Sequence, residues 1–181
     1  HSYHEHRFHY FWPRRAEKLT GRGILPALQK NSALYLMIPF LVVAQLISLY
    51  LLCRRIQPNL LYAHWFTPQA INTAFVSKIT RIPFVFTTHA SDVAVLGKSR
   101  FSRTFVRWVC RIASAYTAVS QRTAGKLRLH FAGAADETEL SEKLTIIPMG
   151  IRMSSNSPNK TVVDSSDLAL NDMELPYFIF I

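Results

Sequence analysis

The feature that most constrains the fold is an alternation of short apolar segments with longer segments of helical periodicity. The apolar segments cover residues 60–63, 83–87, 116–119 and 143–147. The helical pattern covers residues 39–56, 68–78, 99–112 and 121–131. Strands buried on both faces read as continuous apolar runs, and strands that alternate with helices of this length form parallel sheets. The sequence therefore predicts an α/β domain with a Rossmann-like, doubly wound parallel sheet.

The segments outside this alternation predict the domain organisation. Aromatic and polar residues alternate at 6–11, which predicts one more strand. Residues 153–173 are rich in Ser, Asn and Asp, as a linker is, and the apolar run that follows predicts a strand. We therefore expect one domain over 1–152, a linker over 153–173, and the first strand of a second domain over 174–181. Because the chain begins without Met and ends inside an apolar run, we expect both ends to be incomplete.

The distribution of charge indicates the class of partner. The net charge is +10, and the stretch from Lys18 to Ala135 contains fifteen Lys or Arg residues but a single acid, Asp92. Such a one-sided field favours phosphorylated substrates, nucleic acid or an anionic membrane, although a simple solvated basic surface has the same composition. No recognition motif for nucleic acid accompanies the charge, so nucleic acid is the least expected of these partners.

One uncharged segment leaves two interpretations open. Residues 33–53 carry no formal charge and are followed by Arg54 and Arg55. The segment is long enough to span a bilayer, but a helix inside an α/β domain can also be apolar all round. Pro39 and Gln45 favour the second interpretation, a buried or membrane-grazing helix.

Cysteine and histidine usage predicts neither a disulfide nor a metal site. Cys53 and Cys110 occur in apolar helical segments, where they behave as small buried hydrophobic residues, and this is typical of a reducing cytoplasm. His4 and His6 would share a face of the predicted strand. No Cys or Asp near them completes a ligand set, so we expect no metal.

Polar residues follow three of the predicted strands. His64 and Trp65 come after the first, His89 and Asp92 after the second, and Ser120 after the third. In open parallel sheets, ligands bind outside the carboxyl ends of the strands. The sequence therefore predicts a polar site at this edge of the sheet.

Several sequence motifs resemble those of one enzyme family. The motifs are YAHWFTPQA at 62–70, TTHASDV at 87–93, TAVS at 117–120 and IPMGI at 147–151. Their order and spacing are similar to those of family-four glycosyltransferases, which have the two-domain GT-B fold, and the resemblance covers residues 6–152. Ala70 and Ala90 stand where the family usually has glycine. The family's first strand with its glycine-rich loop would precede His1, and its donor-binding domain would follow Ile181.

This resemblance implies a function for the complete protein. It implies transfer of a hexose from a nucleotide sugar to a glycan or lipid-linked acceptor with retention of anomeric configuration. The nucleotide sugar is a co-substrate held by the second domain, and no metal cofactor is implied. The present residues would supply the acceptor side, alone turn over nothing, and reside in the cytoplasm, free or peripheral on the inner face of the membrane.

The resemblance also suggests roles for the residues that match the motifs. His89 would lie near the transferred sugar as a catalytic residue, although a structural role in its loop would place it equally well. Asp92 could orient His89, bind an acceptor hydroxyl or cap the following helix. We expect His64, Trp65 and Gln69 to contact the acceptor, with a packed loop aromatic as the alternative for Trp65.

Two further groups of residues carry predicted roles. Ser120 and Arg122 lie at the start of a predicted helix, where they could bind a phosphate or other anion, or where Ser120 could simply cap the helix. The second group forms a basic helix face with an aromatic neighbour, which suggests docking on an anionic membrane. The alternative interpretation is that this face is solvated and simply covers the core. That group consists of Arg100, Arg103, Arg107, Trp108 and Arg111. A non-catalytic basic module that binds membrane or nucleic acid is the rival to the enzyme.

Overall fold

The computed structural model describes residues 4–19, 24–89, 92, 100–149 and 178–180. Its strands are β1 (Leu60–His64), β2 (Phe84–Thr88), β3 (Ala115–Ala118), β4 (Leu144–Ile146) and β5 (Phe178–Phe180). Its α-helices are α1 (Ile24–Lys30), α2 (Ile38–Ile56), α3 (Ile71–Thr80), α4 (Arg100–Ile112), α5 (Gln121–Arg128) and α6 (Glu137–Glu142). Shorter 3₁₀ turns cover Arg14–Ala16 and Ser32–Met37, and a π-type turn covers Phe66–Ala70.

The strands form one parallel sheet in the order β4-β3-β2-β1-β5. Helix α3 connects β1 to β2 and α4 follows β2 before β3, so the chain repeats the strand–helix–strand unit that requires parallel pairing. The predicted α/β, Rossmann-like fold is therefore confirmed, and the predicted strands and helices between 39 and 147 lie within a few residues of their expected bounds.

The two faces of the sheet differ in character. Apolar residues at alternate strand positions are buried on one face, against α2 to α6. Register row Ala63–Phe86–Tyr116–Leu144 is typical of this face. The opposite face carries the row His64–Thr87–Thr117–Thr145, which is polar. Among the described residues, the core-forming helices thus cover the apolar face, and the row of His64 lies on the other face.

Helix α2 packs on α3 and does not stand free. One buried face of α2 contains Leu41, Gln45, Leu49 and Cys53, which recur at helical spacing. The amide of Asn72 on α3 donates to Gln45 Oε1 at 2.8 Å and to the carbonyl of Val42 at 3.0 Å. Helix α2 therefore packs as a layer of the domain, as expected of a helix inside an α/β domain.

The cysteines are buried, as predicted. Cys53 and Cys110 are free thiols in the core. Burial raises the pKa of the Cys53 thiol to about 11 and the pKa of Cys110 further still. Both thiols are therefore protonated and unreactive at neutral pH.

The strand predicted at 6–11 is wrong. Residues 4–10 are irregular, and the amides of Tyr10 and Phe11 bond to a side chain instead of a neighbouring strand. The carboxylate of Glu17 accepts from the amides of Tyr10 at 2.8 Å and Phe11 at 3.1 Å. The segment packs by Tyr10 and Leu19 against α1 and α2, forming a second, smaller core.

The strand predicted in the last apolar run is present as β5. Residues 174–181 were expected to open a second domain, but β5 pairs in parallel with β1 in the same sheet, with Leu61 opposite Ile179. An edge strand presents a row of unpaired N–H and C=O groups, and β5 satisfies those of β1. The predicted linker at 153–173 lies outside the described residues.

Candidate functional site

Two imidazoles meet where β1 and β2 end. His64 is the last residue of β1, and His89 directly follows β2. Since His64 is in register with Thr87, the two side chains leave neighbouring strands at the same edge. Their Nε2 atoms lie 3.0 Å apart, which is a hydrogen bond. The predicted juxtaposition of His64 and His89 is therefore present.

This contact restricts the protonation of the pair. A bond between two Nε2 atoms needs one hydrogen, so one imidazole donates and the other accepts. The pKa of His64 is lowered, first by burial and then by the neighbouring His89, while Asp92 acts in the opposite direction. At neutral pH His64 is therefore uncharged, and its hydrogen bond with His89 ties the two rings together at the sheet edge.

Asp92 connects the end of β1 with the end of β2 through hydrogen bonds. Its Oδ1 accepts from the amide of His89 at 2.9 Å and from Thr88 Oγ1 at 3.1 Å, and its Oδ2 accepts from the amide of Phe66 at 2.6 Å. The residue is 4% exposed. Both oxygens accept from donors of the fold, so Asp92 orients the loop carrying His89, which is one of the three roles considered for it, while its catalytic role stays a prediction.

Trp65 forms the outer wall of the histidine pair. Its ring is stacked on His89 at a centroid distance of 4.6 Å, and the residue is 38% exposed. Its φ of 100° is unusual for a bulky residue and costs about 1–3 kcal/mol. The conformation is held by its amide, which donates to the carbonyl of Thr87 at 2.9 Å. One face of the Trp65 ring is thus packed on His89, as the alternative to acceptor binding requires, and the remainder of the side chain is accessible.

A row of hydroxyl groups beside the pair was missed in the sequence. Thr87 Oγ1 lies 2.6 Å from Tyr62 Oη and 2.8 Å from Thr117 Oγ1, across three neighbouring strands. Thr87 and Thr117 share the register row of His64, so they lie on the same polar face. Period-two positions within apolar strands would have revealed them, but only once the register was known.

The remaining predicted site residues are placed less centrally. Gln69 lies in the turn after Trp65, and its buried Oε1 has no hydrogen-bond partner among the described residues. Ser120 accepts from the amide of Thr123 at 3.2 Å, which is the capping role that was the alternative to anion binding. Arg122 is exposed on the first turn of α5.

Two arginines of the basic face predicted on α4 bond to other parts of the domain. Arg107 donates to the carbonyls of His130 at 2.7 Å and Ala132 at 2.9 Å, at the end of α5. Arg111 forms an ion pair with Asp136. These two guanidinium groups therefore bond to other parts of the domain, and the membrane-facing role predicted for this group of residues stays a prediction.

The other members of that group remain at the surface to different degrees. Arg100 and Arg103 are exposed. Trp108 is half-buried against Phe75 of α3, with a centroid distance of 4.6 Å. The N-terminal half of α4 thus carries two exposed arginines.

Arg107→Ala should destabilise the domain through loss of the contacts that complete α5. We expect the free energy of unfolding to fall by about 2 kcal/mol, because charged donors to otherwise unpaired carbonyls are removed. The matched variant Arg103→Ala, which removes an exposed arginine from the same helix, should change it by less than about 0.5 kcal/mol. Urea unfolding followed by circular dichroism measures both, and equal effects would contradict the structural role of Arg107.

Two histidines should make stability depend on pH. The pKa values of His64 and His130 are both lowered, in each case mainly by burial, and for His130 also by Arg103 and Arg107. The unfolded chain therefore binds more protons than the folded domain below pH ~6.5, so stability is lost as the pH falls through that window. Urea unfolding at pH 7.5 and pH 5.5 should show this loss. His130→Gln should reduce the pH dependence, and an unchanged dependence would contradict the assignment.

Among the described residues, no three His, Cys, Asp or Glu side chains gather closely enough to hold a metal ion.

Comparison with known proteins identifies the family. Searches of curated proteins and of solved structures gave no significant match. The sequence profile described as Glycosyltransferase Family 4 matches residues 2–154, which is most of the chain and includes every residue of the histidine pair and its surroundings. The chain therefore belongs to glycosyltransferase family 4, whose members act on sugar donors and acceptors.

Proposed function

We propose that this chain is the acceptor-side part of a retaining hexosyltransferase that uses a nucleotide sugar and acts on a glycan or lipid-linked acceptor. The observation that carries the proposal is the His64–His89 pair at the carboxyl edge of the sheet, 3.0 Å apart and held by Asp92. A transferase must hold the acceptor hydroxyl at the reacting centre and manage its proton.

The histidine pair suits this proton chemistry. Because His64 is uncharged at neutral pH, the pair keeps one nitrogen able to accept a hydrogen bond from a hydroxyl, while the hydrogen of their own bond stays between the rings. When His89 is the donor in this bond, its own Nδ1 is the nitrogen that can accept a hydrogen bond from a sugar hydroxyl. Its loop is fixed through its own backbone amide, which limits the reorganisation required during reaction.

The surroundings of the pair suit a sugar. Trp65 offers an exposed aromatic surface, and pyranose rings have apolar faces that pack on aromatic side chains. The hydroxyl row of Tyr62, Thr87 and Thr117 offers groups that can donate and accept hydrogen bonds. We propose that Gln69 extends this acceptor surface.

The donor diphosphate requires contacts of another kind. We propose that a further domain supplies most of them, that Arg122 adds positive charge from this side, and that no metal cofactor is needed. The described residues form a single sheet, and the diphosphate would lie across a cleft between that sheet and the donor domain. The chain of residues 1–181 alone would accordingly bind acceptors without turning over a donor.

Nuclear magnetic resonance of the imidazoles tests the acceptor role in the chain itself. Titration with alkyl hexosides and with a water-soluble lipid-linked sugar analogue should shift the His64 and His89 ring signals but leave His4, which is exposed, unchanged. Transfer is tested in the protein extended to its donor domain, with the anomeric configuration of the product read by the same method. Ring signals that ignore every sugar, together with salt-sensitive binding to mixed DNA, would support the rival basic module instead.

A further inference from the structure

A stripe of large apolar side chains on α2 faces away from the core. Phe40, Val43, Ile47 and Leu51 are 55%, 52%, 52% and 59% exposed. Their spacing of three to four residues places them on one helix face, over a length of about 17 Å. We call these four residues the α2 stripe. Large exposed apolar patches mark interaction surfaces in soluble domains.

The buried face of α2 limits what can cover the stripe. Gln45 is bound to Asn72 on α3, and Leu49 and Cys53 belong to the main core. The segment Ser32–Ile56 is long and apolar enough to cross a membrane, yet only 22% of its most apolar window is buried. The stripe can therefore meet another surface from the side while the helix remains in the domain.

Aromatic and basic residues border the stripe at both ends. Phe11 contacts Phe40 at a centroid distance of 5.5 Å, and the next residue, Trp12, is 86% exposed. Exposed Arg14 follows shortly after. At the other end Arg54 continues the same helix face beyond Leu51 and is exposed as well. Tryptophan and long cationic side chains favour the boundary between lipid headgroups and acyl chains.

The charge around the stripe selects the partner. From Lys18 to Ala135 the sequence has a single acid, and this residue, Asp92, is buried. The two acids of the preceding segment are paired, Glu5 with Arg7 and Glu17 with the amides of Tyr10 and Phe11. The stripe therefore lies in a positive field that favours a negative surface, whereas a second copy of a chain with net charge +10 would be repelled. We propose that the α2 stripe docks this domain flat on an anionic lipid surface, with Trp12 and the flanking arginines at headgroup level. This proposal does not depend on the sugar chemistry.

Vesicle flotation of the full chain tests the proposal. The probes are vesicles of phosphatidylcholine alone and of phosphatidylcholine with 30% phosphatidylglycerol, each at about 50 mM and 500 mM salt. The stripe variant carries Phe40→Ser, Ile47→Ser and Leu51→Ser. The control variant carries Ile79→Ser, Phe101→Ser and Leu129→Ser, three apolar residues that are also exposed but lie on other helices or at their ends. A third variant carries Arg54→Ser and Arg55→Ser.

The expected result is binding to the anionic vesicles that weakens in high salt. The stripe variant should lose at least about 30-fold in partition, the arginine variant about tenfold, and the control variant less than threefold. Circular dichroism confirms that each variant folds, and the single change Leu51→Ser replaces the triple variant if that one does not. Equal losses in the stripe and control variants, or no vesicle binding by the unmodified chain, would overturn the proposal. A stripe variant that still binds vesicles but loses a dimer on gel filtration would also overturn it, in favour of self-association.

Discussion

Asp92→Ala is expected to lower the free energy of unfolding by about 3–5 kcal/mol. The change removes an acceptor that is 4% exposed and leaves the amides of Phe66 and His89 without their partner. Buried donors that lose an ionised acceptor carry the full cost of desolvation. Urea unfolding of the purified chain, followed by tryptophan fluorescence and circular dichroism together, measures the loss.

Two related variants sharpen this prediction. Asp92→Asn should cost about half as much, because the amide oxygen can still accept from the loop of His89 while its NH₂ group faces the amide of Phe66. The control Asp136→Asn weakens an exposed ion pair with Arg111 and should cost less than about 1 kcal/mol. A loss for Asp92→Ala no greater than that for Asp136→Asn would show that Asp92 does not fasten the strand ends.

His89→Ala is expected to reduce kcat by about 10²–10³ in the protein that carries the proposed donor-binding domain. The variant removes the ring that faces both His64 at 3.0 Å and Trp65, but it keeps the backbone amide that Asp92 binds. The fold should therefore survive while proton management at the acceptor hydroxyl is lost. Steady-state kinetics over a range of acceptor concentrations separates kcat from KM.

The control for this prediction is His4→Ala, which removes an exposed imidazole and should change neither kinetic constant. An increase in KM with unchanged kcat would assign His89 to acceptor binding alone. Activity within threefold of the unmodified protein would remove His89 from the site altogether. The first outcome corrects the catalytic part of the proposal, and the second contradicts it.

The interior of the domain was largely predictable from the sequence. The segments that became β1 to β4 and α2 to α5 combine an apolar run or helical spacing with clear stop signals, such as Pro58 after α2. Local pattern and tertiary environment agree there, because the buried face repeats with the period of the element. The edge at which His64 and His89 meet followed from the same reasoning, since parallel strands end on one side of the sheet.

The local pattern did not show which side-chain contacts would form outside its period. The segment 6–11 has the alternation of a strand, but Glu17 satisfies its amides without a neighbouring strand. The helix face of α4 has the spacing of a free basic stripe, but the end of α5 and Asp136 occupy Arg107 and Arg111. Neither contact leaves a mark in the local pattern.

The sequence by itself determined the fold class, the order of the elements and the family of the chain. It did so because burial periodicity and motif spacing are local properties that a chain carries before it folds. Only the tertiary structure decided that Asp92 accepts hydrogen bonds from the residues that follow both β1 and β2. It also decided that Thr87 belongs to a row of hydroxyl groups and that α2 leaves an apolar stripe exposed. These outcomes depend on strand register and helix packing, which bring together residues far apart in the chain.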